Sequence, residues 1–476
     1  MKGDSSNTIG KKVFEAETSP TIEQTHSEKK EEIHTLVKDA LPDQASINKV
    51  PDESTAAEPI VDSLTPTPGN ELNVPAGKKF LIGGTAFAKV NLRSKMDSAG
   101  FELGWLPIFL WRPGNRLFFE AHLHIDAGGH SHGAATTAPA ATTTAAAATP
   151  AGGHTHGATA SSGTETAASS GVNIMLNYAN LVYFLNPYMA ITGGIFLSPF
   201  GIYGERLHAD WINKLPDAPV GMGHNDQMIP LTEFGVQVRG GVPVRKFKFN
   251  YAVYISNGPQ LVESGTTAGQ LSYASFTDNN TNKAIGGRAG LFPVPGSNFE
   301  LGVFAQKAGV GTDYSRFSGV DALLSGADIS FNHYFGWMKG TLDIKGQYSK
   351  TSVDKVYYSA APLLTVNVPA EDVNLADSTY RFNNVTKIYF ITVSYRPTAS
   401  MKFLKNLEYS VRYDAMETPA FALWSMNKTR WTGGIIYWFE ARSALKLAFQ
   451  SGRTPMPYGQ KDLVGNLISI QFVIGL

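Results

Sequence analysis

Between Lys78 and the C-terminus, polar and apolar residues alternate one by one, and this constrains the chain more than any motif it carries. WMKGTLDIKGQY (337–348) sets Met338, Leu342, Ile344 and Tyr348 against Lys339, Thr341, Asp343, Lys345 and Gln347. RKFKFNYAVYI (245–255) opposes Phe247, Phe249, Tyr251, Val253 and Ile255 to Lys246, Lys248 and Asn250. LEYSVRYD (407–414) opposes Leu407, Tyr409, Val411 and Tyr413 to Glu408, Ser410, Arg412 and Asp414. A period of two means strands with two unlike faces. A soluble sandwich or barrel would hide the apolar face in its core. Two features favour a membrane barrel instead. Full charges stand at successive polar positions, and aromatics gather near strand ends, as in a barrel's interfacial girdles.

The connections carry the second constraint. Sixteen strands are expected, at about 78–91, 99–111, 115–126, 171–184, 188–199, 231–240, 245–256, 283–293, 298–307, 325–335, 338–350, 382–396, 404–415, 428–439, 443–451 and 464–476. Tight turns such as Arg112-Pro113-Gly114-Asn115, Asn186-Pro187, Gly240-Gly241-Val242-Pro243 and Ala441-Arg442 alternate with long loops such as 127–170, 200–230, 257–282 and 351–381. Short turns on one side and long loops on the other are what an outer-membrane barrel shows. The fold class read here is therefore an all-β transmembrane antiparallel barrel of about sixteen strands, spanning 78–476, with both ends periplasmic. The last strand, LVGNLISIQFVIGL, agrees: Ile468, Ile470, Phe472 and Ile474 point one way, Ser469 and Gln471 the other. No run of apolar residues is long enough for a helical span.

Residues 1–77 read differently. They are rich in Lys, Glu, Asp, Ser, Thr and Pro, a composition that cannot bury enough apolar surface to offset chain entropy. A flexible periplasmic extension is expected. It allows a short helix over 20–41, with Ser19-Pro20 at its start and Pro42 beyond its end. Such a segment offers contact with a periplasmic partner. The first thirty residues contain no apolar h-region, so no signal peptide is legible in them.

The segment 193–241 contains Pro199-Phe200-Gly201, then a tyrosine and a basic position, and later the GVQVRGG strand. With NYAVYISNG (250–258) and YRPTASMKFLKNLEYSVRYD (395–414), it resembles the porin superfamily that contains the phosphate-selective porins. The resemblance covers most of 78–476 and excludes the N-terminal segment and the His-rich insert. It implies a diffusion channel for small polar or ionic solutes, a trimer in outer-membrane lipid, and a loop folded inward as a constriction.

An anion preference is implied by the resemblance alone. The inward-facing cations are Lys89, Arg239, Lys246, Lys248, Arg288, Lys339, Lys345, Arg396, Arg412, Arg430 and Lys446. Opposing them are Glu102, Glu120, Asp126, Glu233, Glu300, Asp328, Asp343, Glu408, Asp414 and Glu440. Eleven against ten is near balance, whereas an anion pore needs cations without opposing carboxylates. Loop 200–230 is the constriction candidate. It holds Trp211 and mixes Glu205, Arg206, His208, Asp210, Lys214 and Asp217, so both signs of charge would face the lumen. The alternative is an ordinary external loop.

Six of eleven histidines lie in HLHIDAGGHSHG (122–133) and GGHTHG (152–157). His122, His124 and Asp126 fall on one face of a strand, while His130, His132, His154 and His156 fall in an Ala/Thr-rich loop. H-x-H spacing suits Zn, Ni, Cu or Co. This supports the alternative of a surface barrel that captures divalent cations, beside the bland reading of a low-complexity insert. No resident cofactor is required. No Walker loop, HExxH or EF-hand motif appears, so no enzyme is expected. Zero formal net charge implies no pull toward nucleic acid.

Overall fold

A computed structural model of the chain describes residues 80–93, 99–127, 172–224, 226–273, 276, 278–294, 297–359, 369–398, 404–455 and 463–476. The chain divides into two units, Met1–Asn73 and Val74–Leu476, and every described residue belongs to the second. The helix expected over 20–41 and the loop histidines His130, His132, His154 and His156 lie outside the described residues.

Sixteen antiparallel strands close into one barrel. They are β1 (Phe80–Arg93), β2 (Ala99–Trp111), β3 (Leu117–Ala127), β4 (Val172–Asn186), β5 (Met189–Leu197), β6 (Thr232–Val244), β7 (Phe247–Ser256) and β8 (Ala284–Phe292). The circuit continues through β9 (Glu300–Gly309), β10 (Asp321–Phe335), β11 (Gly340–Val353), β12 (Asn384–Pro397), β13 (Leu407–Glu417), β14 (Lys428–Glu440), β15 (Ser443–Thr454) and β16 (Leu463–Gly475). Each strand pairs with its sequence neighbours, and β16 returns to β1 in a ladder from Thr85↔Gly475 to Arg93↔Leu467. Closure removes both sheet edges, so every strand finds backbone partners on two sides.

The alternation is inside out relative to a water-soluble protein. On β15, Leu447 and Phe449 are 47% and 51% exposed, whereas Lys446 between Leu445 and Leu447 is 1% exposed. On β16, Ile468, Ile470, Phe472 and Ile474 face outward and Ser469 and Gln471 are buried. An apolar exterior around a polar interior is what a barrel needs in a bilayer. The turn-and-loop parity is also as the sequence implies. Tight connections such as 187–188 and 441–442 occupy one rim, and longer ones, including 310–320 and 418–427, occupy the other.

Three local expectations are corrected. The Gly240–Pro243 stretch is strand, and the turn falls at Arg245-Lys246, with Arg245 at φ 55°. Pro243 is tolerated because β5 stops pairing at Gly240, leaving one side of β6 free of ladder partners. Lys246 therefore sits in a turn and not on the lumen wall. Lys339, expected on a strand face, likewise sits in the turn before β11 at φ 49°.

The lumen is not polar throughout. At the long-loop rim, inward Phe304, Leu324, Ile388 and Phe390 merge with loop residues Ile202, Met222, Leu261, Phe317, Tyr358 and Phe382 into one buried apolar cluster. The loops between β5 and β14 are thereby interlocked over that side of the barrel.

Candidate channel constriction

Loop 198–231 lies within the barrel. A single helical turn, Tyr203–Leu207, follows a sharp entry at Gly201, whose φ is 81°. Only glycine adopts that conformation without strain, and a Cβ there would collide with the Gln347 amide. Gln347, on the inner face of β11, holds the entry. Its Oε1 accepts from the Ile202 and Tyr203 amides at 2.9 and 3.0 Å, and its Nε2 donates to Phe200 O at 3.3 Å. These loop groups are buried, and buried backbone polar groups require partners.

Further along, the loop is fastened to the opposite wall. Lys446 of β15 donates to the carbonyls of Asp210 and Asn213, and Gln471 of β16 donates to Asp210 Oδ1 at 3.2 Å. Arg412 of β13 donates to Asp217 O at 2.7 Å and Ala218 O at 3.2 Å. Arg430 of β14 donates to Ala218 O and to the Asp414 carboxylate, 2.8 Å away. Lys89 of β1 pairs with Glu102 at 2.7 Å and Asp217 at 3.3 Å. Trp211 approaches β16 so closely that a Cβ on Gly475 would meet its indole at 3.1 Å. The loop thus bridges β11 to β16 and β1 across the lumen.

Burial would by itself raise the Asp217 carboxyl, but Lys89 and Arg430 outweigh that, helped by the Gln450 hydrogen bond and Arg412, and hold it below the usual range. Asp210 shows the opposite balance. Burial raises its carboxyl, and Lys446, Gln471 and Lys89 only partly offset it.

The expected lumen cations consequently fall into two groups. Arg412, Arg430 and Arg288 are not pore-wall charges open to water. Arg412 and Arg430 anchor the loop, and Arg288 is buried against Asp328 and Glu300 at 2.6 and 2.9 Å. Their charges are spent on protein oxygens, which the sequence could not reveal. Lys248 stays on the exposed inner end of β7. Glu205, Arg206, Arg239, Lys214, Lys345 and Asp343 line two cavities flanking the loop, and Glu408 pairs with Lys214 beside the first.

The first cavity, about 290 Å³, lies between the loop and β11, β12 and β14. Lys214 pairs with Glu408 at 2.9 Å, and Lys345 with Asp343 at 3.2 Å. Trp438 Nε1 donates to Glu408 at 2.7 Å, and Lys214 and Arg396 lie 5.2 and 5.8 Å from the Trp438 ring centre. The second cavity, about 310 Å³, lies against β3 to β6. Its charges are compensated: Arg239 donates to Glu205 at 2.8 Å, Arg206 to Glu300 at 2.5 Å, and Tyr178 to Glu120 at 2.7 Å.

His122 and His124 point inward from β3 as the spacing requires, but their neighbours are other imidazoles. His122 and His208 have ring centres 6.0 Å apart, and His124 and His224 5.9 Å. Asn177 approaches His122 Nδ1 at 3.4 Å, and Asp126 is buried. Among the described residues no group of three or more His, Cys, Asp or Glu side chains is placed to hold a metal ion. The rings of His122 and His124 thus each meet an imidazole of the loop. Burial, only partly offset by a backbone hydrogen bond to Gly204 and reinforced by His124, lowers the His208 imidazole to about 4.

Gln347, Gln450, Gln471, Trp438 and His224 were not legible as site residues. An inward glutamine is compatible with any polar lumen. Its selection as a loop anchor depends on contacts more than a hundred positions away, such as |i−j| of 145 for Gln347 and Ile202.

No family profile and no curated protein matches this sequence. Solved structures with a similar fold include Salmonella typhi OmpF in complex with daunomycin, at 9% identity and TM-score 0.45, covering 83% of this chain and 97% of that one. The outer membrane channel DcaP of Acinetobacter baumannii aligns at 12% identity and TM-score 0.44, covering 83% and 97%. An anion-selective porin from Comamonas acidovorans aligns at 10% identity and TM-score 0.44, covering 83% and 99%. Likenesses this distant carry no argument about what crosses this chain.

Proposed function

We propose that the chain is an outer-membrane porin that lets small polar or ionic solutes diffuse passively through a water-filled lumen narrowed by loop 198–231. The observation that carries this reading is the inversion of the barrel. Apolar side chains such as Leu447 and Phe472 cover the outside, while charged and amide groups line the inside and secure a loop across it. A barrel that served only as an anchor would have no need for a lumen lined by so many charge pairs. The trimer implied by the family resemblance is part of the same proposal, checked by the mass of the detergent-solubilised particle.

Two cavities flanking the loop offer a polar route past it, one with compensated charge and one with a surplus cation. The reading therefore includes a weak preference for anions. The test is planar-bilayer recording of the purified chain. Stepwise, ohmic conductance is expected, with a reversal potential under a KCl gradient shifted modestly toward chloride. A chain that inserts and produces no conductance steps would overturn the reading.

A further inference from the structure

The chamber between the loop and β11, β12 and β14 has a composition that ordinary diffusion does not require. Three cations line it, and two are already matched: Lys214 by Glu408 at 2.9 Å and Lys345 by Asp343 at 3.2 Å. Arg396 is different. It stands on the inner face of β12, exposed to the chamber, with no carboxylate partner among the described residues. Among the described residues it stands over the Trp438 ring, 5.8 Å from its centre, and forms no ion pair. Trp211 and Ile212 of the loop also line the chamber and supply apolar surface to it.

We propose that this chamber is a binding subsite for a small organic monocarboxylate, with the carboxylate on Arg396 and its apolar body against Trp211 and Ile212. The inference rests on the channel reading above for access to the site. One unmatched positive charge selects one negative charge. A phosphate dianion would need a second free cation and would face the Asp343 carboxylate, so burying it there is unfavourable. A guanidinium matches a carboxylate with two parallel N–H···O bonds, whereas an ammonium offers only a point charge. The apolar wall rewards an organic body over chloride or acetate, because removing apolar surface from water is favourable at about 25 cal/mol per Å². At about 290 Å³ the cavity is of small-ligand size. The second chamber serves as an internal comparison: each of its lining arginines, Arg206 and Arg239, already has a carboxylate, so it offers no such site.

The test uses the purified full chain with benzoate, acetate and inorganic phosphate. In bilayers, benzoate is expected to interrupt the current in a saturable way, acetate more weakly, and phosphate no more than chloride. Arg396→Gln is expected to weaken the benzoate block about ten- to a hundredfold, as loss of a charge-assisted hydrogen bond would. Arg396→Lys should restore part of it. Ile212→Ser should narrow the gap between benzoate and acetate. Equal block by phosphate, or an unchanged block in Arg396→Gln, overturns the subsite while leaving the channel standing. Calorimetry on the detergent-solubilised chain reads the site without any current. Saturable benzoate heat that Arg396→Gln abolishes supports it even if no conductance appears, and absence of that heat in the wild type overturns it.

Discussion

Gln347 is the residue on which the inward course of the loop turns. One amide satisfies two backbone N–H groups and one carbonyl of residues 200–203, all buried beneath the apolar cap. Gln347→Leu keeps the size and removes the hydrogen bonds, leaving buried donors without partners at a cost of about 1 to 3 kcal/mol each. The expected outcome is a loop that detaches intermittently, read as added current noise and a lower unfolding midpoint in detergent. Quiet traces and an unchanged midpoint would show that the loop is held by its other anchors alone. What the sequence reveals about such residues is direction and not partnership. Alternation correctly turned Arg288, Arg412 and Arg430 inward, yet it could not show that protein oxygens consume their charge. Arg396 looks like the others in the sequence, yet it is exposed and has no carboxylate beside it among the described residues.

The loop behaves as an element with two kinds of fastening. Toward β13 to β16 and β1 it is held by cations on carbonyls and carboxylates, and toward β3 it meets imidazoles. The imidazole side is sensitive to acid. His208 is held near 4 against an ordinary value of 6.5, so the docked loop favours the neutral ring. A detached loop would take up the proton first. Docking is therefore strongest above about 6.5 and weakens as pH falls toward 4, where charge on His208 would also oppose any on His122, His124 and His224. Recordings across pH 7 to 4 are expected to show noise or conductance change growing through that window, and His208→Gln should flatten the response. A profile identical in the variant would assign the acid sensitivity elsewhere. Strand positions and loop parity were legible because a period of two repeats along every span. Turns were less so: at Pro243 the chemistry of a turn was tolerated in a strand, because the ladder on one side had ended.

For the whole molecule, the apolar cap over β7 to β13 was the feature that alternation hid. Strands such as β9, ELGVFAQKAG, carry apolar groups on both faces: Val303 is 61% exposed and Phe304 is 4% exposed. Aromatics in the loops, among them Phe317, Tyr358 and Phe382, were the available signal that these connections fold together. The inversion itself supplies the sharpest test of what surrounds the barrel. Leu447 sits in the middle of β15 facing out, paired across to Ile435 and Ile470 on neighbouring strands. In a lipid setting, Leu447→Arg places a charge near the midplane and is expected to cost about 2 to 4 kcal/mol. Around a barrel surrounded by water, the same change would fall within about 0.5 kcal/mol, like other exposed substitutions. Denaturant titration of the chain folded into phospholipid vesicles separates these outcomes. A clear loss for Leu447→Arg, beside little effect for Leu447→Ile, is the result expected if lipid covers this face. Equal stability of both would mean that water, or another protein surface able to pair the charge, lies against β15.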